Sequence, residues 1–123
     1  MKYTILLHMH LAIVGGRDFN DYVKFKEIVK NFIDEYGKPT KIISGGARGV
    51  DTLAEQYAKE NNIEMIVFKP DWSKGKVAGL LRNTDIINAC THVLALPTDK
   101  SVGTYDSIKK GENLGKVVMV VKV

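Results

Sequence analysis

Five short apolar runs, four of them followed by a segment of helical periodicity, constrain this chain more than any other feature. Leu11–Val14 ends at Gly15-Gly16, Lys41–Ser44 at Gly45-Gly46, Ile63–Phe68 before Pro70 and Thr91–Leu96 at Pro97; Lys116–Val123 is the Val-rich last run. Their apolar residues are mainly continuous rather than alternating, which predicts strands buried on both faces. Between the first two, Tyr22, Phe25, Val29, Phe32, Ile33 and Tyr36 fall at spacings of three and four, predicting a helix over 20–36 that Gly37 and Pro39 close. Further helices are expected over 49–62, 77–89 and 103–114, the last weakened by Gly111, with 71–76 and 98–102 as loops. Strand and helix in strict alternation imply a parallel sheet with right-handed crossovers and helices on both sides. The expected fold class is α/β: a single Rossmann-like three-layer domain with a mainly parallel five-stranded sheet.

A chain of 123 residues with 45% hydrophobic content and no Pro/Ser-rich linker or repeat fits one domain, able to fold without disulfide or structural metal. That domain is placed at 10–123. Residues 1–9 are set apart as an irregular or tag-like extension: Met1–Leu7 resembles the start of a short signal peptide without its cleavage site, and His8-Met9 looks like a junction. His8 and His10 are accordingly not read as metal ligands. The single cysteine, Cys90, is expected as a small buried hydrophobe, and a chain without disulfides suits a reducing compartment, so a cytoplasmic location is expected. No apolar run approaches the roughly 18–20 residues of a membrane span.

The formal charge of +4 favours anionic partners in general. Its distribution says more. Lysines such as Lys24, Lys26, Lys30, Lys59, Lys109 and Lys110 fall on polar helix faces, whereas the three arginines, Arg17, Arg48 and Arg82, do not. In a parallel sheet the loops after the strands gather at one edge, where ligands bind at a topological switch point. That edge receives Gly15, Gly16, Arg17 and Asp18 after strand 1, and Ser44, Gly45, Gly46, Ala47, Arg48, Gly49 and Asp51 after strand 2. Asp71 and Trp72 follow strand 3, Arg82 and Asn83 stand in helix 3, and Ser101, Gly103 and Thr104 follow strand 4. Glycines between a strand and a helix start let backbone N–H groups approach an anion that the helix dipole also favours. Arginine adds a planar fork for phosphate and a surface for stacking on a base.

Each of these residues also has a structural reading. Arg17 pairs with Asp18 or Arg82 with Asp85 on that view, Asp51 answers the dipole of helix 2, Trp72 packs over the sheet edge, and Thr104 caps helix 4. Asp71 in its loop is a candidate for ribose recognition or for assisting chemistry, and Asp106 is the second candidate catalytic carboxylate. The first turn is not G-x-G-x-x-G and no G-x-x-x-x-G-K-[ST] occurs, which excludes the ordinary dinucleotide fingerprint and the P-loop. No Cys/His cluster supports zinc, no Ser–His–Asp arrangement is present, and neither cofactor nor metal is expected.

Taken together, Gly15-Gly16-Arg17-Asp18-Phe19, Ser44–Asp51, Asp71-Trp72, Ala78-Gly79 with Arg82-Asn83, and Gly103-Thr104 resemble the YspA-type branch of the SLOG superfamily, which includes the Smf/DprA and Lonely Guy proteins. The resemblance spans Leu11 to Val123. It implies a Rossmann-like sheet and a pocket for nucleotides or their derivatives, lined by the Ser44–Asp51 loop and Gly103-Thr104. Lonely Guy enzymes carry P-G-G-x-G-T-x-x-E with a catalytic Glu; here the stretch from Pro97 lacks the Gly-Gly, Ser107 stands at the Glu position, and Asp106 is displaced by one residue.

The expected function is binding of a nucleotide or nucleotide derivative, such as an ADP-ribose-like or cyclic signal, by a sensor or sequestering protein. A phosphoribohydrolase or other nucleotide-derivative hydrolase is the alternative, and single-stranded nucleic-acid binding the third reading. Nucleic acid ranks last as a partner because aromatic and basic residues are not interleaved. No membrane partner is expected, and a homo-oligomer, dimer or tetramer, is.

Overall fold

A computed structural model describes residues 8–123. It contains the five parallel strands and four helices in the expected order: β1 His10–Gly15, α1 Tyr22–Tyr36, β2 Lys41–Ser44, α2 Val50–Glu60, β3 Glu64–Val67, α3 Ala78–Ala89, β4 His92–Leu96, α4 Val102–Asn113 and β5 Val117–Val120. Of the segment set apart in the sequence, residues 1–7 lie outside the described residues. Met9 is buried, and its carbonyl accepts the Thr40 amide at 2.9 Å.

The strand order is β3-β2-β1-β4-β5. The chain works outward from β1 through β2 to β3, then crosses back to β4 and continues to β5. With every crossover right-handed, that reversal puts the first two helices on one face and the last two on the other. The core divides accordingly. Leu11, Ile13, Ile42, Leu94 and Leu96 point toward Phe25, Val29 and Phe32 of α1 and Leu53, Ala54 and Ala58 of α2. Their strand neighbours Ala12, Val14, Ile43, Val93 and Ala95 point toward Ile86 and Ile87 of α3 and Ile108 of α4, beside the buried Cys90. Burial on both faces holds for β1, β2 and β4, while the edge strands β3 and β5 are half-exposed.

Capping residues set the boundaries. Asp21 accepts the Lys24 amide at 3.0 Å, so α1 starts at Tyr22 rather than at Asn20, and Gly37, at φ 99°, returns its N–H to Ile33. The expected loop over 71–76 is instead two 3-10 turns, Trp72–Val77. Asp71 caps the first turn through the Ser73 amide and hydroxyl, at 3.1 and 2.6 Å, and Gly75, at φ 75°, breaks the helical path before α3.

Candidate functional site

The switch point lies between β1 and β4, and the principal cavity, about 630 Å3, opens at their carboxyl ends. Its floor is Val14 and Ile86, and its walls are Gly15–Asp18 after β1, Gly45, Ala47, Arg48 and Asp51 around the start of α2, Arg82 and Asn83 of α3, and Lys100–Thr104 with Ser107 at α4. The volume falls in the range of small-ligand pockets.

Two glycines make this geometry. Gly16 donates its N–H to the Leu96 carbonyl at 3.1 Å and its carbonyl accepts the Val50 amide at 3.1 Å, tying β1, β4 and α2 together at one residue. A Cβ on Gly16 would strike Thr98 and the Asp18 carboxylate; one on Gly49, at φ 77°, would strike the Gly16 carbonyl. The start of α2 is thereby pressed against the first turn. Neither Gly49 before α2 nor Ser101 before α4 closes its helix with a side chain, so two helix N-termini reach the cavity without a side-chain cap.

The polar residues form connected sets. Thr98 donates its hydroxyl to Asp18 at 2.8 Å, and its amide donates to the Ser101 hydroxyl at 2.8 Å, which fixes the loop after β4 to the loop after β1. Asn83 is buried and donates to the Gly103 carbonyl and to Asp106, at 3.2 and 3.1 Å, locking α3 to α4. Arg82 donates from Nη1 to the Gly45 carbonyl at 2.6 Å and from Nε to Asn83 at 3.1 Å. Of its five N–H groups three remain for a guest. Neither alternative pairing of the arginines forms: no salt bridge among the described residues involves Arg17, Arg48 or Arg82.

Asp51 is the unusual carboxylate. It is 6% exposed in the first turn of α2, and its Oδ2 accepts the Ala47 amide at 3.1 Å. Burial raises its pKa to about 6, against the opposing pull of that amide and the Arg82 charge. Burial in turn lowers the pKa of Arg82, and the Asp51 charge partly offsets that.

A second cavity of about 410 Å3 adjoins the first and shares Arg17, Gly45, Ala47, Arg48 and Arg82 as a common wall. Gly46, Lys69, Pro70 and Trp72 complete it. Most of the residues singled out from the sequence therefore line one cavity or the other. Four do not. Ser44 is buried beneath the turn, its hydroxyl accepting the Gly46 amide at 3.3 Å, and Gly49 acts through its backbone. Asp71 holds the 3-10 turn, with its pKa lowered by the Ser73 bonds, and Asp106 is paired with Lys110 at 2.8 Å. Thr104 lines the cavity from inside the first turn of α4; the N-cap position belongs to Ser101. The lining residues that sequence reasoning passed over are of two kinds. Val14, Pro70, Ile86 and Val102 carry no chemical signal, whereas Lys69, Lys100 and Ser107 carry polar side chains, and the two lysines, each within a few residues of a strand end, could have been found by extending the strand-end argument to lysine.

A family profile described as YAcAr, the YspA, cpYpsA-related SLOG family, matches residues 9–75, more than half of the chain. The chain is similar to the Gene 61 protein of Mycobacterium phage D29, at 29% identity over 112 residues, covering 85% of this chain and 90% of that one. Among solved structures it resembles DNA processing protein A of Streptococcus pneumoniae, with a TM-score of 0.72 at 20% identity, covering 91% of this chain and 50% of the other. It also resembles DNA processing protein A of Helicobacter pylori, described for its single-stranded DNA binding mode, with a TM-score of 0.67 at 23% identity over 92% of this chain and 65% of that one. The structural-genomics target TM1055 matches with a TM-score of 0.64 at 17% identity, covering 89% and 72%. The chain thus spans about half the length of the pneumococcal protein, and at these identities the structural likeness is one of fold. No helix among the described residues is long and apolar enough to cross a membrane.

Proposed function

Since the chain belongs to the YspA, cpYpsA-related SLOG family, we propose that its principal cavity binds a nucleotide or nucleotide derivative by the phosphates, as a sensor or sequestering protein. One observation carries this reading: three arginines without ion-pair partners among the described residues line a cavity that two helix N-termini also reach without side-chain caps. Guanidinium forks and helix-end N–H groups are donors that phosphate oxygens accept, and Lys100 adds a fourth cation against the carboxyls of Asp18 and Asp51. Calorimetric titration with AMP, ADP-ribose, cyclic nucleotides and a short oligonucleotide tests the reading. Saturable binding of a phosphate-bearing nucleotide, weakened by salt, is expected; no heat across the whole panel refutes it.

A hydrolytic role is favoured by one observation, the Asp51 carboxyl. A group titrating at about 6 inside the cavity is suited to proton transfer near neutral pH. On that reading nucleotide derivatives are cleaved on prolonged incubation, and Asp51→Asn retains binding while losing product formation. Recovery of intact ligand after hours at stoichiometric protein removes it.

A further inference from the structure

The second cavity has a composition the first lacks. Arg17, Arg48, Lys69 and Arg82 line it with no carboxylate, whereas Asp18 and Asp51 both face the first cavity. Trp72, at its rim, is 63% exposed. An indole with so much of its surface in water is held there by a rigid device: Asp71 pins the 3-10 turn through the Ser73 amide and hydroxyl, and the Lys74 amide closes the turn on the Asp71 carbonyl at 3.0 Å. The common wall is made of arginines and of the Gly45 and Ala47 backbone.

A ligand matching both cavities carries negative charge at its middle and a flat π-system at the end beside Trp72. Building on the nucleotide-binding reading above, we infer that the second cavity takes a second nucleoside. The ligand class is then a free dinucleotide, its linking phosphate against Arg17, Arg48 and Arg82 and its second base stacked on Trp72. Indole is a strong stacking surface for any base, and cations around it serve the linkage rather than the base edge, so the second base is selected weakly.

The lone tryptophan of the chain reports on this subsite directly. AMP, ADP-ribose, the dinucleotide pApA and a ten-residue oligo(dA) are titrated into the full chain, with affinity read by calorimetry and Trp72 emission in parallel. The expected result is that pApA binds at least tenfold more tightly than AMP and quenches Trp72, while AMP and ADP-ribose bind without quenching. Trp72→Ala weakens pApA by about tenfold, the order of one base–aromatic stack, leaves AMP within twofold, and Trp72→Phe restores most of the loss. Equal affinity for AMP and pApA with unchanged emission overturns the second subsite and leaves the nucleotide-binding reading intact. Binding of nothing in the panel overturns both. A decamer more than tenfold tighter than pApA overturns the free dinucleotide as ligand and assigns the subsite to a strand.

Discussion

Replacing Asp51 with asparagine should make the protein more stable at neutral pH and leave its stability unchanged in acid. Four influences favour the ionised carboxylate: the N-terminal turn of α2, the Ala47 amide, the Arg82 charge and the Gly45 backbone. Burial outweighs them and raises the pKa from 3.8 to about 6. A carboxyl that binds its proton more tightly when folded favours folding below the unfolded pKa and loses that contribution as pH rises through the folded one. The shift of roughly two units corresponds to about 3 kcal/mol, withdrawn between about pH 4 and pH 7. The asparagine amide would keep an oxygen for the Ala47 N–H and have nothing to ionise. The stability difference between Asp51→Asn and the parent should therefore be near zero at pH 4 and reach about 3 kcal/mol in favour of the variant at pH 8, on the order of 10 °C in Tm. Urea denaturation followed by circular dichroism at half-unit pH steps measures it, since a single domain of this size is expected to unfold in two states. Taking the difference cancels exposed carboxylates such as Glu60 and Asp71, whose pKa values are lowered and whose effect has the opposite sign in both proteins. A difference that is flat with pH refutes the reasoning. So does a variant less stable than the parent at pH 8, which would mean that the neighbouring cation outweighs desolvation.

Removing the guanidinium in Arg82→Ala should weaken nucleotide binding by about 10- to 100-fold, the loss of one charge-assisted hydrogen-bonding group, as measured by calorimetry; unchanged affinity would place the phosphate elsewhere. Gly49→Ala, at φ 77° with its new Cβ against the Gly16 carbonyl, should cost about 2–3 kcal/mol in urea denaturation, and a loss below about 0.5 kcal/mol would show that the α2 junction gives way freely. Because Asp71 and Asp106 do not line the principal cavity, Asp71→Asn and Asp106→Asn should each leave AMP affinity within about twofold. A larger loss would show that the 3-10 turn or the α3–α4 lock shapes the principal cavity.

The alternation of apolar runs and amphipathic segments was enough to specify the sheet, its parallel sense and the edge at which the strand-end loops gather. Each strand buried on both faces must read as a continuous apolar run, and each helix between parallel strands must have one apolar face. For the same reason the positions of Gly15–Asp18, Gly45–Arg48 and Gly103-Thr104 after their strands place them on one rim. The boundaries were less legible, because a cap such as Asp21 or a break such as Gly75 acts through local hydrogen bonds and φ values that periodicity does not record.

What no local pattern could supply was the partition of the carboxylates. Asp18, Asp51, Asp71 and Asp106 look alike in the sequence, yet one accepts from Thr98, one is buried at the cavity wall, one pins a surface turn and one pairs with Lys110. Desolvation and pairing depend on what distant segments bring within a few ångströms, and those distances exist only once the chain has closed. The sequence by itself determined the scaffold and the rim on which its arginines stand, because burial is written in periodicity. Only the tertiary structure decided which acids face the principal cavity and that two cavities share the arginine wall, because electrostatics and shape are properties of neighbours in space.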